Sequence, residues 1–262
     1  MKLPVYQVDA FASRVFAGNP AVVCRLDKWL EDAVLTEIAA EHNISTTAFL
    51  VEDGEDFEIR YFAPAGEFAL AGHASLAAAH VVLRLLRPDA SQAILRRRSG
   101  GPLRVSRLED GLLAITLPAT IAAPCPAPSD LQATLGAPFV EVRQTPMQYF
   151  VIMEDEEAVA ALAPDMAGVM RLDRDGLIVT APGQQSDFVS RAFAPKEGLP
   201  EDPVCGSAHL ALVPYWSERL SRSEHLALQL SPRGGELHCR LDRDEVHLAG
   251  RCALYMEGVI HI

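Results

Sequence analysis

Arg60-Tyr61-Phe62-Ala63-Pro64-Ala65-Gly66-Glu67 runs into Ala71-Gly72-His73-Ala74-Ser75-Leu76, and later Arg191-Ala192-Phe193-Ala194-Pro195 runs into Cys205-Gly206-Ser207-Ala208-His209-Leu210. The two Phe-Ala-Pro stretches are offset by 131 residues at the Phe and the following glycines by 134, so one copy carries three extra residues in its loop. In each copy a strand-like stretch, a loop, a glycine, small polar residues and an apolar helix-length run follow in the same order. An internal duplication accounts for this, and two related domains follow from it.

The rest of the chain fits around that repeat. Phe57 to Phe62 alternates apolar and polar residues as a half-buried strand does, and Leu103–Val105, Leu112–Leu117, Tyr149–Met153, Leu177–Ala181, Leu226–Leu230 and Glu245–Leu248 read similarly. Helical spacing appears at Leu30, Val34 and Ile38, with Asp27 available as a cap. The runs Gly72 to Leu86 and Gly206 to Leu220 are apolar nearly all round, which predicts buried central helices. Pro118 to Asp130 holds four prolines and no charge before its last residue, so it reads as a semi-rigid linker. The expected division is 1–118, a linker at 119–129, and 130–262, with the last strand, near Leu254 to Ile262, a candidate to cross back to the first domain.

Composition narrows the function. The 262 residues include 23 Lys+Arg against 35 Asp+Glu, a formal net charge of −12, which argues against nucleic acid as a partner. With 49% hydrophobic and 22% charged residues the chain is ordinary globular material rather than disordered. The most apolar stretch, Ala74 to Leu86, is interrupted by His80 and Arg84 and is too short to span a membrane. The N-terminus shows no signal core, so a cytoplasmic location is expected. Cys24, Cys125, Cys205, Cys239 and Cys252 are odd in number and widely spaced, which signals reduced thiols rather than disulfides or a metal knuckle. No nucleotide-phosphate loop motif occurs.

The repeat suggests chemistry at its two helix starts. The first amides of a helix lack internal acceptors and carry the positive end of its dipole, so Gly72 and Gly206 each open an anion site. If a pseudo-twofold relates the domains, both starts face one cleft and hold a small acidic metabolite without metal or cofactor. His73 is the acid/base candidate by residue type, its reference pKa lying near working pH. Asp202 either caps the second helix or binds a substrate hydroxyl or ammonium. Ser207 reads as a binder of a substrate carboxylate, because no nucleophile motif surrounds it. Cys205 lies just before a helix start, a position that lowers a thiol pKa, but its counterpart is Ala71, so no two-thiol relay is available. His42, His80, His209, His225, His238, His247 and His261 read as structural. Arg96-Arg97-Arg98 before Ser99-Gly100-Gly101 reads as a solvated strand end or turn, and Asn19-Pro20 as a turn.

Five motifs in order, Phe16-Ala17-Gly18-Asn19-Pro20-Ala21-Val22, Asn43-Ile44-Ser45 with Thr47-Ala48-Phe49, Gly72-His73-Ala74, Asp202-Pro203-Val204-Cys205-Gly206-Ser207-Ala208-His209 and Arg233-Gly234-Gly235, resemble the PhzF-like isomerase family of phenazine biosynthesis. The resemblance implies an α+β fold of the diaminopimelate epimerase type: two similar domains, each a curved, mostly antiparallel sheet around a central helix, with the active site between them. It also implies cofactor-independent isomerisation by proton transfer, as on trans-2,3-dihydro-3-hydroxyanthranilate, and a homodimer. It assigns the active-site histidine to His73, the aspartate to Asp202 and the serine to Ser207, and the expected substrate-binding set is Asn19, Gly72, Gly206 and Ser207. The family's acid/base glutamate falls at Thr46, whose hydroxyl cannot shuttle a proton at neutral pH as a carboxylate does. Three outcomes stay open: Asp202 or His73 takes over, the protein binds a related molecule without turning it over, or a substitution has been introduced at that position.

Overall fold

The computed structural model describes residues 1–262 and divides into two compact units, Met1–Thr116 with Ala249–Ile262, and Leu117–Leu248. In the first unit the strand Lys2–Ala10 lies antiparallel to Asn19–Leu26 on one side and to Cys252–His261 on the other, so the end of the chain belongs to the sheet that the beginning starts. Helix α1 (Asp32–His42) carries the chain to Thr47–Asp53, which pairs parallel with Asn19–Leu26. Thr47–Asp53 then turns back antiparallel into Asp56–Ala63 and on to Gly66–Phe68. Helix α2 (Gly72–Val81) follows and leads to Gln92–Arg97, which is parallel to Asp56–Ala63. Pro102–Arg107 and Leu113–Pro118 continue antiparallel.

α2 sits against the strands Lys2–Ala10, Asn19–Leu26 and Thr47–Asp53. Its Ala74, Ser75, Leu76, Ala77, Ala78, Ala79 and Val81 are all buried. A helix buried all round needs small side chains so that sheet backbone can approach on several sides, and the alanine run supplies them. α1 covers the other face, where Leu35, Ile38 and Ala39 join Val22, Cys24, Phe49 and Phe62 in one core.

The second unit repeats this order. After the short helix α3 (Leu131–Leu135), Gln148–Ile152 pairs parallel with Gly176–Pro182 through a crossover that holds α4 (Glu156–Ala160) and α5 (Met166–Arg171), capped by the Asp155 and Asp165 carboxylates. Gly176–Pro182 pairs antiparallel with Phe188–Ala194, and Leu199–Asp202 comes next. Helix α6 (Gly206–Leu220) then leads to Glu224–Gln229, which is parallel to Phe188–Ala194. Thus α2 and α6 occupy equivalent places in their own sheets. Phe57 pairs with Leu95 and Phe188 with Ala227, so even the register of the parallel strand is repeated.

Several local expectations change. Asp27 does not cap α1, which starts at Asp32 after Glu31 with no side-chain cap. The indole of Trp29 donates to Glu58 and Asp32 pairs with Arg60, so residues 27–31 are held across the neighbouring strand before the helix begins. Asn19-Pro20 is not a turn but the start of a strand, with Pro20 opposite Asp9 and Asn19 wholly buried. The turn precedes it, at Phe16 (φ 68°) and Gly18 (φ 66°), where any Cβ on Gly18 would lie 2.1 Å from the Ala10 carbonyl. The run from Gly72 is α-helical only to Val81 and finishes as a π turn at Val82–Leu86, whose Leu83 carbonyl accepts from Arg107. Within the proline-rich stretch Ala123–Pro124 pairs with Arg143 and Gln144, so this part is woven into a sheet. Pro214 lies inside α6. The carbonyl it leaves without a helical donor, that of Leu210, accepts from the Thr120 amide at 2.9 Å.

Candidate functional site

The start of α2 is fixed by a small buried network. Ala71 is extended, and its carbonyl accepts from both the Ser75 amide (2.9 Å) and the Ser75 hydroxyl (2.7 Å). The same hydroxyl meets the buried Tyr61 hydroxyl at 2.6 Å. His73 therefore projects from a rigid first turn. Its Nε2 is out of solvent and has no hydrogen-bond partner in the fold. Burial pushes its pKa down to about 4, so the reference value near neutrality does not apply, and the ring is uncharged at pH 7. A neutral imidazole at a helix start offers a hydrogen bond to a ligand without adding positive charge.

Thr46 lies in the bend between α1, which ends at left-handed Asn43 (φ 51°), and the strand Thr47–Asp53. It is 2% exposed, and its carbonyl accepts from the Val22 amide at 3.1 Å, tying the bend to the strand that Asn19 begins. The first unit thus brings Asn19 and Thr46 onto adjoining strand ends, and α2, which carries Gly72 and His73, packs on those strands.

In the second unit the decisive side chain is one the sequence did not single out. Gln229, 1% exposed, donates through Nε2 to the Asp202 carbonyl (2.6 Å) and accepts from the Cys205 amide through Oε1 (2.8 Å). Ser231 donates to the Pro203 carbonyl at 2.8 Å. Both residues follow α6 and reach back to the loop that precedes it, so the path of Asp202-Pro203-Val204-Cys205 into α6 is held from the far side. Asp202 is half-buried and Ser207 is exposed on the first turn of α6. His209 places Nδ1 2.8 Å from the Cys205 carbonyl. The thiol of Cys205, 3.3 Å from the Ser207 hydroxyl, is not activated by the helix start: burial first and then Asp202 push it up to about 12. Desolvation outweighs the dipole there because the sulfur is buried.

An arginine anchors the strand before each helix. Arg60 binds Glu67 through Nε (2.7 Å) and Nη2 (2.5 Å), Arg191 binds Glu201 through Nε (2.7 Å) and Nη2 (2.9 Å), and each guanidinium lies over the ring of the phenylalanine two residues on, at 5.0 and 5.1 Å. Nothing in the spacing of the repeat announced these pairs beyond the arginines themselves.

Two similar α+β units with matching helix starts define a protein of the diaminopimelate epimerase-like class. Residues 8–258 match the family model described as phenazine biosynthesis-like protein, and the chain belongs to that PhzF family. An uncharacterized isomerase of Pseudomonas aeruginosa is 48% identical over 262 residues, covering all of both chains. The crystal structure of a PhzF family protein of Enterococcus faecalis matches over all of both chains with a TM-score of 0.96 at 41% identity. A structure described as a predicted epimerase of Pseudomonas aeruginosa shares the fold at a TM-score of 0.75 and 19% identity, with 98% of this chain and 99% of that one covered. No helix of the structure is long and apolar enough to cross a membrane.

Proposed function

We propose that the protein is a cofactor-independent isomerase, working as a cytoplasmic homodimer, that moves a proton on a small carboxylate-bearing metabolite. The observation that carries this is the first turn of α2, where a neutral His73 keeps a buried ring nitrogen unpartnered beside helix amides suited to an anion. Family membership and the isomerase relative support the reaction class. In this reading the amides at Gly72, with Asn19 and His73 beside them, and the amides at Gly206, with the Ser207 hydroxyl, are each suited to an anionic group of the substrate. A proton leaves one carbon of the substrate and one returns at another carbon conjugated with the carboxylate, so the substrate is isomerised with no net change in atoms. Asp202 is the carboxylate of this set that can carry the proton, since Thr46 cannot.

Thr46 favours a second reading, in which the same site binds an acidic metabolite and does not turn it over. It is buried and hydrogen-bonded through its backbone, as a residue kept for packing would be. Incubation with trans-2,3-dihydro-3-hydroxyanthranilate, followed by product formation, tests the first reading. Turnover lost in both His73→Ala and Asp202→Asn supports it. Turnover that survives both substitutions places the chemistry elsewhere. Calorimetry with small carboxylates tests the binding that both readings share: Ser207→Asp should abolish it, and unchanged affinity would refute the site.

A further inference from the structure

The arginine run that the sequence presented as a solvated strand end lines a pocket. Arg97, Arg98 and Ser99 join Arg60, Glu67 and Phe68 around a surface hollow of about 300 Å³ in the first unit, and an adjoining hollow adds Arg96, Trp29 and Glu58. Arg60 and Arg98 share Glu67 and Asp32, and Arg96 pairs with Asp56 and Asp53, so Arg97 is the guanidinium of these hollows that no carboxylate neutralises. The guanidinium of Arg97 is aimed by its own loop. Left-handed Gly100 (φ 81°) and Gly101 (φ 75°) turn their carbonyls back to its Nη2 and Nε.

Comparison of the two copies of the repeat shows what is missing. Arg191 uses Nε and Nη2 for Glu201, and its Nη1 donates to the Leu162 carbonyl at 2.6 Å. Arg60 uses the same two nitrogens for Glu67 and, through Nη2, Asp32, but its Nη1 is out of solvent and has no acceptor, in a side chain only 1% exposed. A buried guanidinium nitrogen without an acceptor is costly. The second copy of the repeat fills that position with a carbonyl oxygen, and the first leaves it to something else. Glu67 and Asp32 already share Arg60 with Arg98, whose side chain is 59% exposed and able to give way to an entering group.

We infer that this pocket is a second anion site, separate from the helix starts, that takes a phosphate group: one oxygen on Arg60 Nη1 and the others on Arg97 and Arg98. Arginine forks match the tetrahedral oxygens of phosphate and place several charge-assisted bonds on one group. Trp29, over which Arg60 lies at 5.2 Å, forms the adjoining wall and gives the site a reporter.

The test uses the full chain at low ionic strength, titrated with inorganic phosphate, pyrophosphate and ADP and followed by calorimetry and by tryptophan fluorescence. Saturable binding of at least one of the three is expected, with affinity reduced at least tenfold in Arg97→Ala/Arg98→Ala and unchanged in Ser207→Asp. The Trp29 signal should change on binding and disappear from the response in Trp29→Phe. Tighter binding of ADP than of pyrophosphate would identify a nucleotide as the source of the phosphate, and equal binding a simple phosphate compound. Absence of saturable binding by all three, or binding that survives the double substitution and is lost in Ser207→Asp, overturns the proposal. Unfolding transitions of the double variant are measured alongside, and Arg98→Glu, a surface change, must weaken binding as well.

Discussion

In the first unit Ser75 sends its hydroxyl back to the Ala71 carbonyl at 2.7 Å, and in the second His209 places Nδ1 2.8 Å from the Cys205 carbonyl, four residues back in each case. Both contacts stiffen the first turn of a central helix, and they do so with different chemistry at equivalent positions. The residues just inside the helix differ too, a neutral His73 in one and an exposed Ser207 in the other. The duplication has therefore kept the scaffold of a helix start and varied the groups presented there.

The arginine anchors give the sharpest way to break this comparison. Arg191 and Glu201 are both largely buried, and Arg191 also satisfies the Leu162 carbonyl. Removing one partner of such a pair leaves the other charge uncompensated, so Arg191→Ala is expected to cost about 3–5 kcal/mol in urea unfolding. Arg60→Ala should cost less, because Glu67 is 30% exposed and Asp32 64% exposed, and both regain water. Equal losses would mean that solvent access does not distinguish the two anchors.

A smaller effect sharpens the contrast at the helix starts. Ser75→Ala removes the bond to Ala71 and strands the buried Tyr61 hydroxyl, with an expected cost of about 1–3 kcal/mol. The double variant with Tyr61→Phe should cost less than the two single changes together, since no hydroxyl is then left unpaired. Strict additivity in that cycle would show that the two hydroxyls do not work as one unit.

Much of the fold could be read because periodicity is a local property. Alternation marked Phe57 to Phe62 and Leu177 to Ala181, and the apolar runs after Gly72 and Gly206 marked the central helices. Asp27 misled because Leu30, Val34 and Ile38 keep helical spacing, while the face that is fully buried is Leu35, Ile38 and Ala39. The start of that helix depends on where Trp29 and Asp32 find partners, Glu58 and Arg60, which lie on a distant strand. For the same reason the Gln229 clamp was invisible: it joins residues 24 and 27 positions apart that only the fold brings together. Residue type pointed to His73 and Cys205, but burial decides how they titrate, and burial is not written in the residues beside them.

That burial has a consequence for pH. His73, His80 and His209 each have a pKa lowered to about 4 by burial, from an unfolded value near 6.5. Between those values the unfolded chain binds more protons than the folded one, so the stabilisation is fully present above about pH 6.5 and is lost as pH falls toward 4. The urea midpoint should drop through that window, and His209→Gln should make the drop shallower. A pH profile identical in parent and variant would show that His209 is not held neutral by the fold.

The central claim is that this scaffold performs proton transfer and that Thr46 limits it. A positioned acid or base contributes about 10²–10⁴-fold in rate, or about 3–5 kcal/mol of barrier, so its absence should leave little turnover. The direct measurement is incorporation of solvent deuterium into trans-2,3-dihydro-3-hydroxyanthranilate and its product, with parent and Thr46→Glu proteins side by side. Slow or no incorporation by the parent and a clear gain in Thr46→Glu is the result this account predicts. Brisk incorporation by the parent, unimproved by Thr46→Glu, would contradict it and show that Thr46 does not limit the proton transfer.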